Sequence, residues 1–167
     1  MDVSIEPMTE ADLDEVVAIE EASFVRPWTR RSFQEELTRN SLATYLVAKR
    51  EGRVVGYGGI WVILDEAHLT TLAVAPDCRQ RGIGSRLLTA LMEKAVQAGS
   101  RCISLEVRPS NLAARKLYGK YCFRVEGVRK KYYDDEDGLI MFRELNSKGE
   151  SCLGPEKGAN PGSGDLL

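Results

Sequence analysis

Apolar positions along this chain follow two rhythms, and the switches between them mark its elements. Ile5 opens a short strand, and Thr9-Glu10-Ala11-Asp12 reads as an N-cap followed by an acid at N3. The helix beyond runs to about Ala22, with Leu13, Val16 and Val17 on one face. Pro27-Trp28-Thr29 interrupts it, and Thr29 caps a second short helix in which Phe33 and Leu37 stack at i, i+4. The pattern then turns strand-like. Residues 44–49, a Glu51-Gly52 turn and residues 54–64 predict an antiparallel hairpin, with Gly56, Gly58 and Gly59 marking a bulge or a close backbone approach. A third strand spans about 67–74.

The second half is more sharply periodic. Leu87, Leu88, Leu91, Met92 and Ala95 predict a helix over 83–98 that stops at Gly99. Residues 102–107 alternate Ile103, Leu105 and Val107 against Cys102, Ser104 and Glu106, which is a strand. Ser110 or Asn111 opens a further helix to about Tyr121. Two last strands, 123–131 and 139–145, flank the acidic turn Asp134-Asp135-Glu136-Asp137-Gly138. From 147 to 167 the periodicity ends, with five glycines and two prolines; a flexible tail is expected there. Helices interrupting a largely antiparallel strand series point to an α+β fold with a mixed sheet, in one domain over 1–146.

Composition narrows the function. The chain has 167 residues, 43% hydrophobic, with net charge −2, which gives no bulk reason to expect a nucleic-acid partner. No apolar run reaches the ~20 residues that span a bilayer. The start, Met1-Asp2-Val3-Ser4-Ile5-Glu6, is acidic and unlike a signal peptide, so a cytoplasmic protein without a membrane partner is expected. Cys78, Cys102, Cys122 and Cys152 form no C-x-x-C pair, and His68 is the single histidine. Reduced structural thiols and no metal are expected.

One segment carries chemistry. After Leu72-Ala73-Val74 and Pro76 comes Arg79-Gln80-Arg81-Gly82-Ile83-Gly84-Ser85, and then the helix. Glycines at 82 and 84 let backbone approach a bulky anion, and the helix start supplies unpaired N–H groups and a positive dipole end. Together these form a candidate pyrophosphate cradle. No Gly-Lys-Ser/Thr follows, so it is not a Walker loop, and G-x-G-x-x-G is incomplete. On spacing alone, a basic solvated turn remains the alternative.

The run R-x-x-G-x-G after a strand resembles the coenzyme A signature Q/R-x-x-G-x-G/A of the GNAT superfamily of N-acetyltransferases. Leu105-Glu106-Val107-Arg108, then Asn111, Ala114, Leu117 and Tyr118, is similar to its L-E-V-x-x-x-N-x-x-A-x-x-L-Y stretch. Asp65-Glu66-Ala67, Pro27-Trp28 and Tyr132-Tyr133 resemble one branch, the bacterial ribosomal-protein-alanine N-acetyltransferases. The resemblance covers roughly 5–145.

It implies a three-layer α/β/α fold: a mixed, mostly antiparallel twisted sheet with a splayed central strand pair and flanking helices. It also implies acetyl-CoA as co-substrate, no metal, and an acceptor amine at a protein N-terminus, in particular the N-terminal alanine of a small-subunit ribosomal protein. A monomer or weak dimer is expected. Leu72, Ala73 and Val74 would offer backbone groups to the pantetheine arm, loop residues Arg79, Gln80, Arg81, Gly82, Ile83, Gly84 and Ser85 the pyrophosphate site, and Asn111 a further contact. Glu106 would be the base, Tyr118 the acid toward sulfur, and Tyr132 and Tyr133 would bind the peptide. An α-amine with pKa ~7.8 is neutral about once in seven at pH 7 and a lysine amine about once in 2,500, so an N-terminus needs only a modest base.

Alternatives remain at each position. Glu106 could pair with Arg108, Tyr118 could be a core aromatic and Asn111 a plain N-cap. Asp134, Asp135, Glu136 and Asp137 could attract a basic acceptor or be a solvated turn. Arg129-Lys130-Lys131 is a weak hint of RNA contact. Acetylation of lysine or a small amine, or a non-catalytic acyl-CoA sensor, are the competing functions. Cys122 stands where the superfamily usually has Gly, which implies strain of order 1 kcal/mol if φ there is positive.

Overall fold

The computed structural model describes residues 2–145, so the expectation of a flexible tail over 147–167 lies outside the described residues. The chain divides into two compact units after Ser100.

In the first unit, β1 (Ser4–Pro7), β2 (Ala43–Arg50), β3 (Arg53–Ile63) and β4 (Glu66–Val74) pair in that order, each antiparallel to the next. The predicted hairpin is β2–β3, with Leu46 opposite Gly58 and Tyr57 opposite Ala73 on β4. The register slips between Ala48 and Lys49, where Val55 of β3 is the extra residue, and between Gly59 and Ile60, where Thr70 of β4 is, so bulges flank the glycine-rich stretch of β3.

Side chains alternate across β3 and so assign its faces. A Cβ on Gly56 or Gly58 would lie 3.0 Å from Leu87 Cδ1 or 2.8 Å from Leu91 Cδ1, both on α3 (Ile83–Gln97). Glycine lets that helix close onto the sheet. Leu87, Leu88 and Leu91 are fully buried, each stabilising by roughly 1.5–3 kcal/mol. Gly99, at φ 91°, ends α3 as predicted.

Tyr57 points to the other face, toward α1 (Leu13–Ser23) and α2 (Arg30–Arg39). Its hydroxyl donates to buried Glu20 on α1, whose second oxygen accepts from the Trp28 N–H at 2.9 Å. Burial raises the Glu20 carboxyl above its ordinary range, against these two hydrogen bonds. Thr29 caps α2 as expected, accepting from the Ser32 N–H at 3.1 Å. Thr9 N–H donates to Asp12 Oδ2 at 2.8 Å across a single 3-10 turn, Glu10–Asp12, that leads into α1.

The second unit contains β5 (Cys102–Val107), α4 (Leu112–Lys120), β6 (Arg124–Arg129) and β7 (Gly138–Glu144). β7 lies between β5 and β6 and is antiparallel to both. Ile103, Leu105 and Val107 are buried, as the alternation predicts. Cys122 is disulfide-bonded, against the expectation of reduced thiols, whereas Cys78 and Cys102 carry no disulfide. No helix of the described residues is long and apolar enough to cross a membrane.

Candidate active site

The candidate anion loop leaves β4 at Val74 and makes a 3-10 turn over Pro76–Cys78, anchored by fully buried Cys78. Arg53 at the start of β3 grips that turn through both Asp77 oxygens at 3.2 Å. Gln80 (φ 63°) and Gly82 (φ 82°) are both left-handed. Gly82 is the N-cap of α3, and no atom lies within 4 Å of where its Cβ would stand. The Arg86 N–H closes the first helical turn on the Gly82 carbonyl at 3.1 Å. The N–H groups of Ile83, Gly84 and Ser85 therefore lack intrahelical acceptors and stand at the positive end of a 15-residue helix.

Arg79 behaves differently from its neighbours. Its Nε donates to the Val74 carbonyl at 2.9 Å and its Nη2 to Ser23 Oγ at 3.1 Å. The guanidinium thus ties the loop to the end of β4 and the end of α1. Its contribution is to loop shape. Arg81 is exposed beside it. Leu72, Ala73 and Val74 occupy the last three positions of β4, opposite Gly58, Tyr57 and Gly56.

In the second unit, Asn111 caps α4, accepting from the Ala114 N–H at 3.1 Å through Oδ1, which leaves its Nδ2 group for other partners. Tyr118 is 7% exposed on α4. Burial, and then the neighbouring Tyr133, push its hydroxyl well above the ordinary tyrosine range. Its ring meets Phe123 at 5.6 Å.

Glu106 stands on β5. Its side chain is 8% exposed, and Arg129 on β6 places Nε 3.6 Å from Oε2. Burial, and then the nearby Glu106 carboxylate, raise the Tyr132 hydroxyl above its ordinary range. Tyr132 and Tyr133 meet edge to face at 4.8 Å, with the Arg129 guanidinium 5.4 Å from the first ring and Arg108 4.5 Å from the second. The acidic turn is largely engaged by its own unit. Arg108 Nη1 bonds Asp135 at 2.8 Å and lies 3.7 Å from Glu136, and Ser110 Oγ donates to Glu136 at 2.6 Å. Asp137 accepts from the Lys131 N–H at 2.7 Å. Its field toward a basic acceptor is correspondingly weakened, and the turn is held down rather than merely solvated.

Sequence reasoning missed the place of Arg129, read there only within a basic run. β7 sets Ile140 opposite both Glu106 and Gly127, so Arg129, two residues past Gly127, reaches the Glu106 side of the sheet. The bulge between Val125 and Gly127 hides that parity in the sequence.

The first unit thus offers a strand–glycine loop–helix cradle, and the second a strand–helix pair bearing the candidate residues Glu106, Asn111 and Tyr118. The sequence profile of the Acetyltransferase (GNAT) family matches residues 13–122, and the chain belongs to that family. A Haemophilus ducreyi [Ribosomal protein bS18]-alanine N-acetyltransferase is 35% identical over 136 residues, covering 80% of this chain and 91% of its own. A Bacillus subtilis (strain 168) protein, assigned provisionally to the same activity, is 42% identical over 137 residues, 81% of this chain and 91% of its own. Among solved structures, the Escherichia coli ribosomal-protein-S18-alanine N-acetyltransferase matches with TM-score 0.79 and 30% identity, covering 89% of this chain and 97% of its own. The expected α+β fold class is the one these structures share.

Proposed function

We propose that this chain transfers the acetyl group of acetyl-CoA to the α-amine of a protein N-terminus, the N-terminal alanine of a small-subunit ribosomal protein. The observation that carries this reading is the retention of Glu106, Asn111 and Tyr118 on one strand–helix unit, in a chain 32–42% identical to relatives named for that acceptor. A Salmonella typhimurium protein of the same fold, with TM-score 0.73 and 19% identity, is solved with its cofactor acetyl-CoA. The left-handed Gly82 and the free N–H groups of Ile83, Gly84 and Ser85 fit a pyrophosphate by the chemistry of their donors. Gln80 and Arg81 flank them, and Arg79 holds the loop in shape. Backbone groups of Leu72, Ala73 and Val74 are assigned to the amide-rich pantetheine arm, and Asn111 is assigned a further contact with it.

The transfer is direct. The acceptor ammonium gives a proton to Glu106, by contact or through one water. The neutral nitrogen attacks the thioester carbonyl, the new C–N bond forms, the C–S bond breaks, and coenzyme A leaves as thiolate or thiol. Tyr118, raised by burial, stays protonated at any working pH. Full proton transfer from it to a thiolate of pKa near 8.5 is uphill, so its role is mainly to donate a hydrogen bond to the departing sulfur. Tyr132 and Tyr133 are assigned to the peptide, and the cytoplasm, where ribosomal proteins are made, to the reaction.

Mass spectrometry tests the acceptor. Peptides with free and with blocked N-terminal alanine, each carrying an internal lysine, are incubated with enzyme and acetyl-CoA. One acetyl on the free N-terminus only is expected. Acetylation confined to lysine would overturn this reading in favour of the lysine alternative.

A further inference from the structure

We infer that Arg129 is a built-in stand-in for the acceptor's ammonium group, resting on the Glu106 carboxylate until a peptide N-terminus displaces it. The inference rests on the reading of Glu106 as the base.

The two arginines of this region differ in how firmly they are held. Arg108 is 26% exposed and bonds Asp135 at 2.8 Å while its guanidinium stacks 4.5 Å from Tyr133. It is a fixed latch. Arg129 is 57% exposed, and its 3.6 Å approach to Glu106 Oε2 is an ion pair too long to be a hydrogen bond. Its stack on Tyr132, at 5.4 Å, is longer too. It is a loose contact on a carboxylate that is itself only 8% exposed.

Swinging Arg129 into solvent would uncover a buried carboxylate beside the Tyr132 hydroxyl and ring. A carboxylate with an adjacent aromatic face is the arrangement that recognises an ammonium ion. The substitution is not chemically neutral. A guanidinium does not give up its proton at any working pH, so it can rest on the Glu106 side chain without using it as a base. An α-ammonium of pKa ~7.8 can occupy the same place and then lose its proton to that carboxylate. Exchange of one cation for the other is therefore what makes the base productive. Arg129, Tyr132 and Tyr133 face Glu106 within its unit, and of these three Arg129 is the cation.

The test compares wild type, R129A and R129K at saturating acetyl-CoA, with a peptide bearing a free N-terminal alanine. Losing a half-exposed competitor should lower the peptide KM of R129A by about two- to fivefold, with acetyl-CoA KM unchanged. R129K, which keeps a cation, should stay near wild type. Guanidinium chloride at millimolar concentration, matched to sodium chloride for ionic strength, should raise the peptide KM of R129A competitively and leave wild type nearly unaffected. A lowered kcat or raised peptide KM in R129A would overturn the inference, making Arg129 an orienting partner of Glu106. Noncompetitive action of guanidinium would do the same. E106Q separates the two levels. If E106Q retains turnover, the base assignment fails and the inference with it; if E106Q is inactive but R129A leaves peptide KM unchanged, only the stand-in role fails.

Discussion

Phe123 closes the helix that carries Tyr118: its N–H donates to the Tyr118 carbonyl at 3.0 Å while the two rings meet at 5.6 Å. The Cys122 N–H donates to the Gly119 carbonyl at 3.1 Å in the same turn. These are the paired bonds and apolar contact of a Schellman ending, and they require a left-handed residue between them. Cys122 fills that position at φ 71°. The helix end keeps its glycine-type geometry with a side chain in place.

The strain gives a first prediction. In reductant, where the Cys122 disulfide is open, C122G should gain about 1 kcal/mol by relieving the left-handed Cβ contact. That corresponds to a melting temperature higher by roughly 2–4 °C in a chain of this size. A lower melting temperature in C122G would mean that packing of the Cys122 side chain outweighs the strain.

Glu106 and Tyr118 should separate catalysis from cofactor binding. E106Q keeps the shape of a nearly buried side chain but cannot accept the amine proton, so kcat should fall on the order of 10²–10⁴-fold. Y118F loses one hydrogen bond to a developing thiolate, worth about 1.5–3 kcal/mol or roughly 10–100-fold in kcat. Equilibrium dialysis should find acetyl-CoA affinity little changed in both. A large loss of affinity in either variant would move that residue from chemistry to binding.

Much of this was legible in the sequence, because local physics decided it. Strand alternation placed Ile103, Leu105 and Val107 inside, the spacing of Leu87, Leu88 and Leu91 placed α3, and Thr29 and Asn111 cap helices as their side-chain oxygens allow. What stayed hidden depended on partners distant in sequence or on bulges. Arg79 stands in the signature loop, yet its guanidinium is spent on Val74 and Ser23, the latter 56 residues away. Asp135 and Glu136 looked like a free acidic patch until β5 and β7 brought Arg108 to them. For Glu106 the sequence offered Arg108 only as an alternative partner, whereas the bulge in β6 brings Arg129 to it.

Gly82 tests the cradle independently of the chemistry. Its φ of 82° is left-handed, and open space lies where a Cβ would point. G82A should therefore cost only about 1 kcal/mol of stability, from backbone strain without a clash. The added methyl would stand where a pyrophosphate approaches, so acetyl-CoA KM should rise about tenfold while peptide KM stays put. An unchanged acetyl-CoA KM would remove Gly82 from the binding loop.

Asp12 and Lys49 set the pH range of the first unit. Burial alone would raise the Asp12 carboxyl, but the Thr9 N–H and Lys49 Nζ, 3.0 Å from Oδ1, hold it below its ordinary value. The hydrogen bond to Asp12 in turn raises Lys49. A carboxyl lowered on folding stabilises the native state above its unfolded pKa of ~3.9, and that contribution is lost as pH falls through the lower folded value. A raised lysine contributes fully below its unfolded pKa of ~10.4 and stops contributing as pH rises through its folded value. The pair therefore supports the fold across the neutral range. D12N keeps an oxygen for the Thr9 N–H but loses the charge, so it should be less stable by about 1 kcal/mol at pH 7, the figure being small because Lys49 is 24% exposed. Urea unfolding of both proteins should show that gap constant from pH 6 to 8 and closing below about pH 4. A gap that persisted undiminished in acid would mean that D12N acts through packing and that the Asp12 charge contributes nothing.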